Sequence, residues 1–134
     1  MIGAEVNIML NNPFLNSHIA LTDVDICCSE VLWNPHPAFT GVALRHMVTS
    51  GHTQGRFSIH LVRVEPGCVL ETHNHPDNWE FHSVISGSAR CELGGRITEY
   101  AAGVCSVMPQ GVAHKVVAGD DGVFILATFV PALL

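Results

Sequence analysis

From residue 41 onward the chain never runs far without a turn. Short β-prone stretches alternate with breaks: GVALRHMVT (41–49), RFSIHLVRVE (56–65), CVLETH (68–73), EFHSVIS (80–86), ARCELGG (89–95), VCSVMP (104–109), HKVVA (114–118) and GVFILATFV (122–130). The breaks are SGHTQG, EPG, NHPDN, SGS, GG, AAG, PQG and AGDDG, rich in the residues that supply tight-turn backbone angles. No long helical period fits between them, so the expected fold is an all-β sandwich or barrel. Residues 1–40 behave differently. Their Pro-rich stretch around Trp33–Pro37 and scattered large apolar groups Phe14, Trp33 and Phe39 read as an N-terminal arm laid over the barrel or over a second subunit. The barrel domain is then 41–134.

Composition narrows the partners. A length of 134 residues is one ordinary domain. Six Lys+Arg against twelve Asp+Glu give a net charge of −6, which argues against a nucleic-acid binder. No apolar run reaches the roughly 18 residues of a membrane helix, and MIGAEVNIMLNNPF lacks a signal-peptide pattern, so a cytoplasmic protein with no membrane partner is expected. Cysteines 27, 28, 68, 91 and 105 are odd in number and contain no CxxC; they read as reduced core thiols. The apolar arm and the segment Phe124–Leu134 offer surfaces for a homodimer.

Nine histidines in so short a chain call for a function. His73 and His75 are two apart, so on an extended strand both imidazoles leave from one face. The turn His75-Pro-Asp-Asn then sends the chain back to Glu80, and a third segment ends after a Pro109-Gln-Gly111 turn in His114. Three neutral nitrogens and one carboxylate suit one first-row divalent metal per chain and leave positions open for water or substrate. Iron, manganese, nickel, zinc, cobalt and copper all accept such donors.

These two segments resemble the paired motifs of the cupin superfamily. The first motif is Gly, five residues, His-x-His, three or four residues, Glu, six residues, Gly; Gly67, His73, His75, Glu80 and Gly87 satisfy it. The second is Gly, five residues, Pro-x-Gly, two residues, His, three residues, Asn; Gly103, Pro109, Gly111 and His114 match, and Ala118 replaces the Asn. The resemblance covers about residues 41–130. It implies a double-stranded β-helix, the jelly-roll or cupin barrel, with His73, His75, Glu80 and His114 as metal ligands inside one end. Gly67, Pro109 and Gly111 read as turn residues, and Gly87 as closing a hairpin after Glu80.

His82 is the further catalytic candidate. Two positions past Glu80, it points to the same side of a strand. In superfamily lyases acting on dimethylsulfoniopropionate, a tyrosine often takes this place as base. His82 could be a base, a donor to Glu80, a fifth ligand, or a buried histidine bonded to a carbonyl. The direction of His60 is open: if inward, Arg56, Ser58, Val62 and Val64 follow it, an awkward set. His18, His36, His46 and His52 are expected to face solvent, and Tyr100 to end a strand. Arg63 and Arg90 could bind an acidic substrate or simply sit on an exposed face. The favoured function is a metal-dependent enzyme on a small organic acid or phenol, of dioxygenase, lyase or isomerase type. The alternative is a non-catalytic metal-containing ligand-binding or sensor module.

Overall fold

A computed structural model describes residues 12–134. The first eleven residues of the expected arm lie outside the described region. After a 3₁₀ turn, Pro13–Leu15, come β1 (His18–Ala20), β2 (Asp25–Cys27), a second 3₁₀ turn (Cys28–Glu30) and β3 (Trp33–Pro35). The barrel strands are β4 (Val42–Val48), β5 (Ser58–Val64), β6 (Val69–His73), β7 (Trp79–Leu93), β8 (Arg96–Ala101), β9 (Cys105–Met108) and β10 (His114–Val130), with one short helix, α1 (Ser50–Thr53). Every pairing among them is antiparallel.

Two long strands serve both sheets of a jelly-roll barrel. The second half of β10 (123–130) pairs with β5 and with residues 79–87 of β7. Its first half (114–118) pairs with β6 and with residues 89–93 of β7. The register slips between Ala118 and Val123, opposite Gly87. That slip is the corner at which both strands turn from one sheet into the other. Gly87 and Gly122 both have positive φ (84° and 72°), and a Cβ on Gly87 would collide with the Gly122 carbonyl oxygen. The runs 80–86 and 89–95, expected as separate strands of a hairpin, are therefore one strand that bends at Gly87. Residues 114–118 and 122–130 likewise join into one, and β8, carried by the polar run RITEYA, is an additional strand.

The core lies between the sheets, around Val42, Val62, Val64, Val84, Val116 and Ile125. A second cluster lies on the outer face, where Leu15 and Cys28 cover Met47, Leu61 and Phe124. Fully burying side chains of this size stabilises by about 1.5–3 kcal/mol each. This cover explains the ambiguity of β5: Ser58, His60, Val62 and Val64 face inward, and the apolar residues on its other side are sheltered by the arm rather than by the barrel. Arg63 and Arg45 also lie on that outer side, each over the Trp33 ring at 4.4 and 4.7 Å.

Candidate metal centre

β6 delivers His73 at its last residue, and β10 begins at His114, its cross-strand partner. Their rings lie 4.3 Å apart between centroids. Glu80 enters from the other sheet, on β7, opposite Phe129 of β10 and Met108 of β9. His75 lies beyond the end of β6, in the loop that joins β6 to β7, and not on an extended strand. Three hydrogen bonds hold that loop: the Gly111 N–H donates to the His75 carbonyl (3.0 Å), Gln110 Nε2 to the Pro76 carbonyl (2.7 Å) and Asn78 Nδ2 to the Pro131 carbonyl (2.8 Å). The Pro109–Gly111 turn thus places His114 and also fixes His75. Phe129 backs the His75 ring edge-on at 4.8 Å.

One donor atom from each of His73, His75, Glu80 and His114 lies within 4.8 Å of the others. The ring tautomers follow from the second nitrogen. His73 Nδ1 donates to the Glu71 carbonyl (2.7 Å) and His114 Nδ1 to the Val112 carbonyl (3.3 Å), which leaves each Nε2 with a free lone pair. Glu80 Oε1 stands 3.1 Å from His114 Nε2 and 3.6 Å from His75 Nε2, yet Oε1 and His114 Nε2 are buried and make no hydrogen bond. Two buried lone pairs facing one another, each worth about 1–3 kcal/mol if left unsatisfied, form a pocket shaped for a cation. The donor set therefore fits a divalent metal.

The charges agree with that fit. Burial lowers the pKa of His73 and of His75, so both are neutral and able to coordinate. Burial alone would raise the Glu80 carboxyl, but the His82 imidazole, 2.8 Å from Oε2, outweighs it and holds the group well below the ordinary carboxylate range. Glu80 and His114 are buried while His73 and His75 remain half-exposed, so the cluster opens on the His73–His75 side. Phe39 reaches this rim, 6.2 Å from the His73 ring, and His36 stacks on it at 4.3 Å.

Behind Glu80 lies a buried polar chain. His82, on the same inward face, brings Nε2 to 2.8 Å from Glu80 Oε2 and Nδ1 to 2.9 Å from the Tyr100 hydroxyl, which in turn contacts Ser106 Oγ. Tyr100 is 2% exposed, so it lies inside the barrel and does not merely end a strand. Its signal in the sequence was its uniqueness: it is the chain's single tyrosine, on a strand whose polar residues hid the alternation. His60 also faces inward, with Nδ1 2.8 Å from His46 Nδ1, Nε2 2.8 Å from Ser58 Oγ, and its ring on Phe129 at 5.5 Å. His46 is consequently an inner-face residue, contrary to the solvent-facing expectation. Arg90 is exposed and paired with Glu99 at 3.0 Å, away from the cluster.

Comparisons with known proteins bear on this geometry. A curated relative, oxalate decarboxylase OxdC of Bacillus subtilis, is 36% identical over 75 residues, which is 52% of this chain and 20% of that protein. The chain thus spans about a fifth of the relative it matches. Among solved structures, KdgF from Halomonas sp. matches with a TM-score of 0.67 at 20% identity, over 77% of this chain and 90% of that one, a likeness of fold. The Bacillus subtilis oxalate decarboxylase, in a study of its Mn(II) centres, matches with a TM-score of 0.67 at 25% identity, over 79% of this chain and 29% of that one. A family model described as the cupin domain matches residues 60–130, which hold all four clustered donors. The jelly-roll topology, the paired motifs and this match agree: the chain belongs to the cupin family.

Proposed function

We propose that the chain is a metal-dependent enzyme acting on a small organic acid or phenol, with one divalent metal held by His73, His75, Glu80 and His114. The observation that carries this reading is the convergence of four donors within 4.8 Å with Glu80 Oε1 and His114 Nε2 buried and unsatisfied. The Mn(II) centres of the related oxalate decarboxylase support a divalent metal. A bound metal would polarise a ligand oxygen or lower the pKa of a bound water. The protein's own groups set what can bind beside it. Three neutral imidazoles and one carboxylate leave a divalent site with a single net positive charge, and no Lys or Arg adds to it. Arg45 and Arg63 lie over Trp33, Arg90 and Lys115 pair with Glu99 and Glu71, and Arg56 and Arg96 are exposed. A singly charged carboxylate or phenolate entering past His73, His75 and Phe39 fits this balance. Relatedness to a decarboxylase favours carbon–carbon bond cleavage, a lyase reaction, over the dioxygenase alternative.

Untagged protein grown with balanced trace metals is expected to carry close to one metal per chain by mass spectrometry. A chelator should lower its melting temperature, and His75→Ala or His114→Ala should empty the site while leaving the barrel folded. Stoichiometric metal retained in both variants would sink the ligand assignment. Saturable binding of small acids without turnover would make the protein a sensor module instead. Five free thiols support a reducing, cytoplasmic setting, and no helix among the described residues is long and apolar enough to cross a membrane. An apolar strip on the outer sheet that the described residues leave exposed supports a homodimer.

A further inference from the structure

We propose that Tyr100 and Ser106 act through His82 as positioning residues that fix which oxygen of Glu80 faces the metal cluster, and that His82 serves this chain of hydrogen bonds rather than acting as a base toward substrate. The inference rests on the metal reading above and extends it to groups outside the four donors.

The argument begins at the carboxylate. Glu80 can only accept hydrogen bonds, so the 2.8 Å contact from His82 Nε2 to Oε2 requires an N–H at Nε2. This bond holds Oε2 away from the cluster and leaves Oε1 as the atom presented to His75 and His114. In the Nε2–H tautomer the lone pair lies at Nδ1, and the Tyr100 hydroxyl stands there at 2.9 Å. Tyr100 keeps its proton, because burial pushes the phenol well above its ordinary range and the Cys91 thiol beside it adds to the effect. Tyr100 can therefore donate to Nδ1 and accept from Ser106 Oγ, which makes every link point toward Glu80. The parts come from three strands: β7 carries Glu80 and His82, β8 carries Tyr100, and β9 places Ser106 directly opposite His82 in register. Both ring nitrogens of His82 are thus committed. The ring is also 1% exposed, whereas the cluster opens at His73 and His75. A base needs a free lone pair near the entering ligand, and His82 has none.

Tyr100→Phe removes one hydroxyl and keeps the ring. The test titrates Co(II) alone into metal-free wild type and variant, and reads the imidazole tautomers of the metal-free proteins by long-range ¹H–¹⁵N correlation. Wild-type His82 is expected as a single Nε2–H tautomer, and Tyr100→Phe as a mixture. Co(II) affinity should fall about 10- to 100-fold, the usual cost of losing a partner that orients a ligand, with a shifted visible spectrum. His82→Gln, which retains an N–H donor for Glu80, should bind Co(II) more tightly than His82→Ala. An Nδ1–H tautomer in wild type would overturn the proposal, as would unchanged Co(II) affinity and spectrum in Tyr100→Phe. If that variant fails to fold, the wild-type tautomer and the Gln/Ala pair decide in its place. A wild type that binds no Co(II) would overturn the metal reading, and the tautomer measurement would then decide the hydrogen-bond chain alone.

Discussion

Burial of a histidine has a consequence that a titration can read. His60 is fully buried, and desolvation, helped by its neighbour His46, pushes its pKa down to about 4. It is neutral in the folded chain, whereas in the unfolded chain it takes up a proton near 6.5. Its contribution to stability is therefore complete above pH 6.5 and is lost as pH falls from there toward 4, because protons then favour the unfolded state. The loss by pH 4.5 is on the order of 2–3 kcal/mol for this residue. The Glu80 carboxylate also loses its contribution in acid, but at lower pH. Glu80 is held ionised, so its contribution persists down through the ordinary carboxylate pKa and is lost only below it. The window between pH 6.5 and 4.5 thus belongs to the imidazoles. Urea unfolding of metal-free His60→Gln should show a flatter pH dependence across that window than wild type; equal slopes would remove His60 from the account.

At the scale of elements, the corner formed by β7 and β10 decides where Glu80 and His114 meet. Both glycines there need positive φ, and at Gly87 the neighbouring backbone leaves no space for a side chain. Gly87→Ala should destabilise by about 3 kcal/mol or more, combining backbone strain with a forced shift of the opposite strand. Gly103 is the control: its φ is 91°, but a Cβ there meets nothing within 4 Å. Gly103→Ala should cost only about 1–2 kcal/mol. Chemical denaturation of the two variants separates space from strain, and equal losses would contradict the steric account. Strand length is hidden in the sequence for the same reason. Gly87 and the Gly119–Gly122 stretch look like hairpin turns in sequence, yet here glycine lets one strand bend between two sheets without ending.

For the whole molecule, the described part of the arm shelters only part of the outer sheet. Leu61 and Phe124 lie beneath Leu15 and Cys28, but Trp79, Phe81, Val107 and Val130 on the neighbouring strands are exposed by 51%, 41%, 52% and 51%. Phe81 pairs directly with Val107, and Trp79 with Val130, so the four form one continuous strip. Such strips mark association surfaces. Sedimentation equilibrium is expected to give twice the 14.4 kDa chain mass. The double substitution Phe81→Lys with Val107→Lys should give a folded monomer, and a wild-type monomer would refute the dimer.

The sequence by itself determined the β class, the turn-rich barrel and the identity of the four converging donors. Those features are local: alternation, glycine and proline in turns, and fixed spacings between His73, His75, Glu80 and His114 that any folded form of this chain must respect. It could not determine which face of β5 was inner, because Ser58, His60, Val62 and Val64 compete with a second face made apolar by the arm that covers it. Nor could it join His82 to Tyr100, 18 positions away, or His46 to His60. Those pairs exist only once two bent strands close the barrel, since a hydrogen bond between distant residues depends on backbone paths that no local pattern encodes.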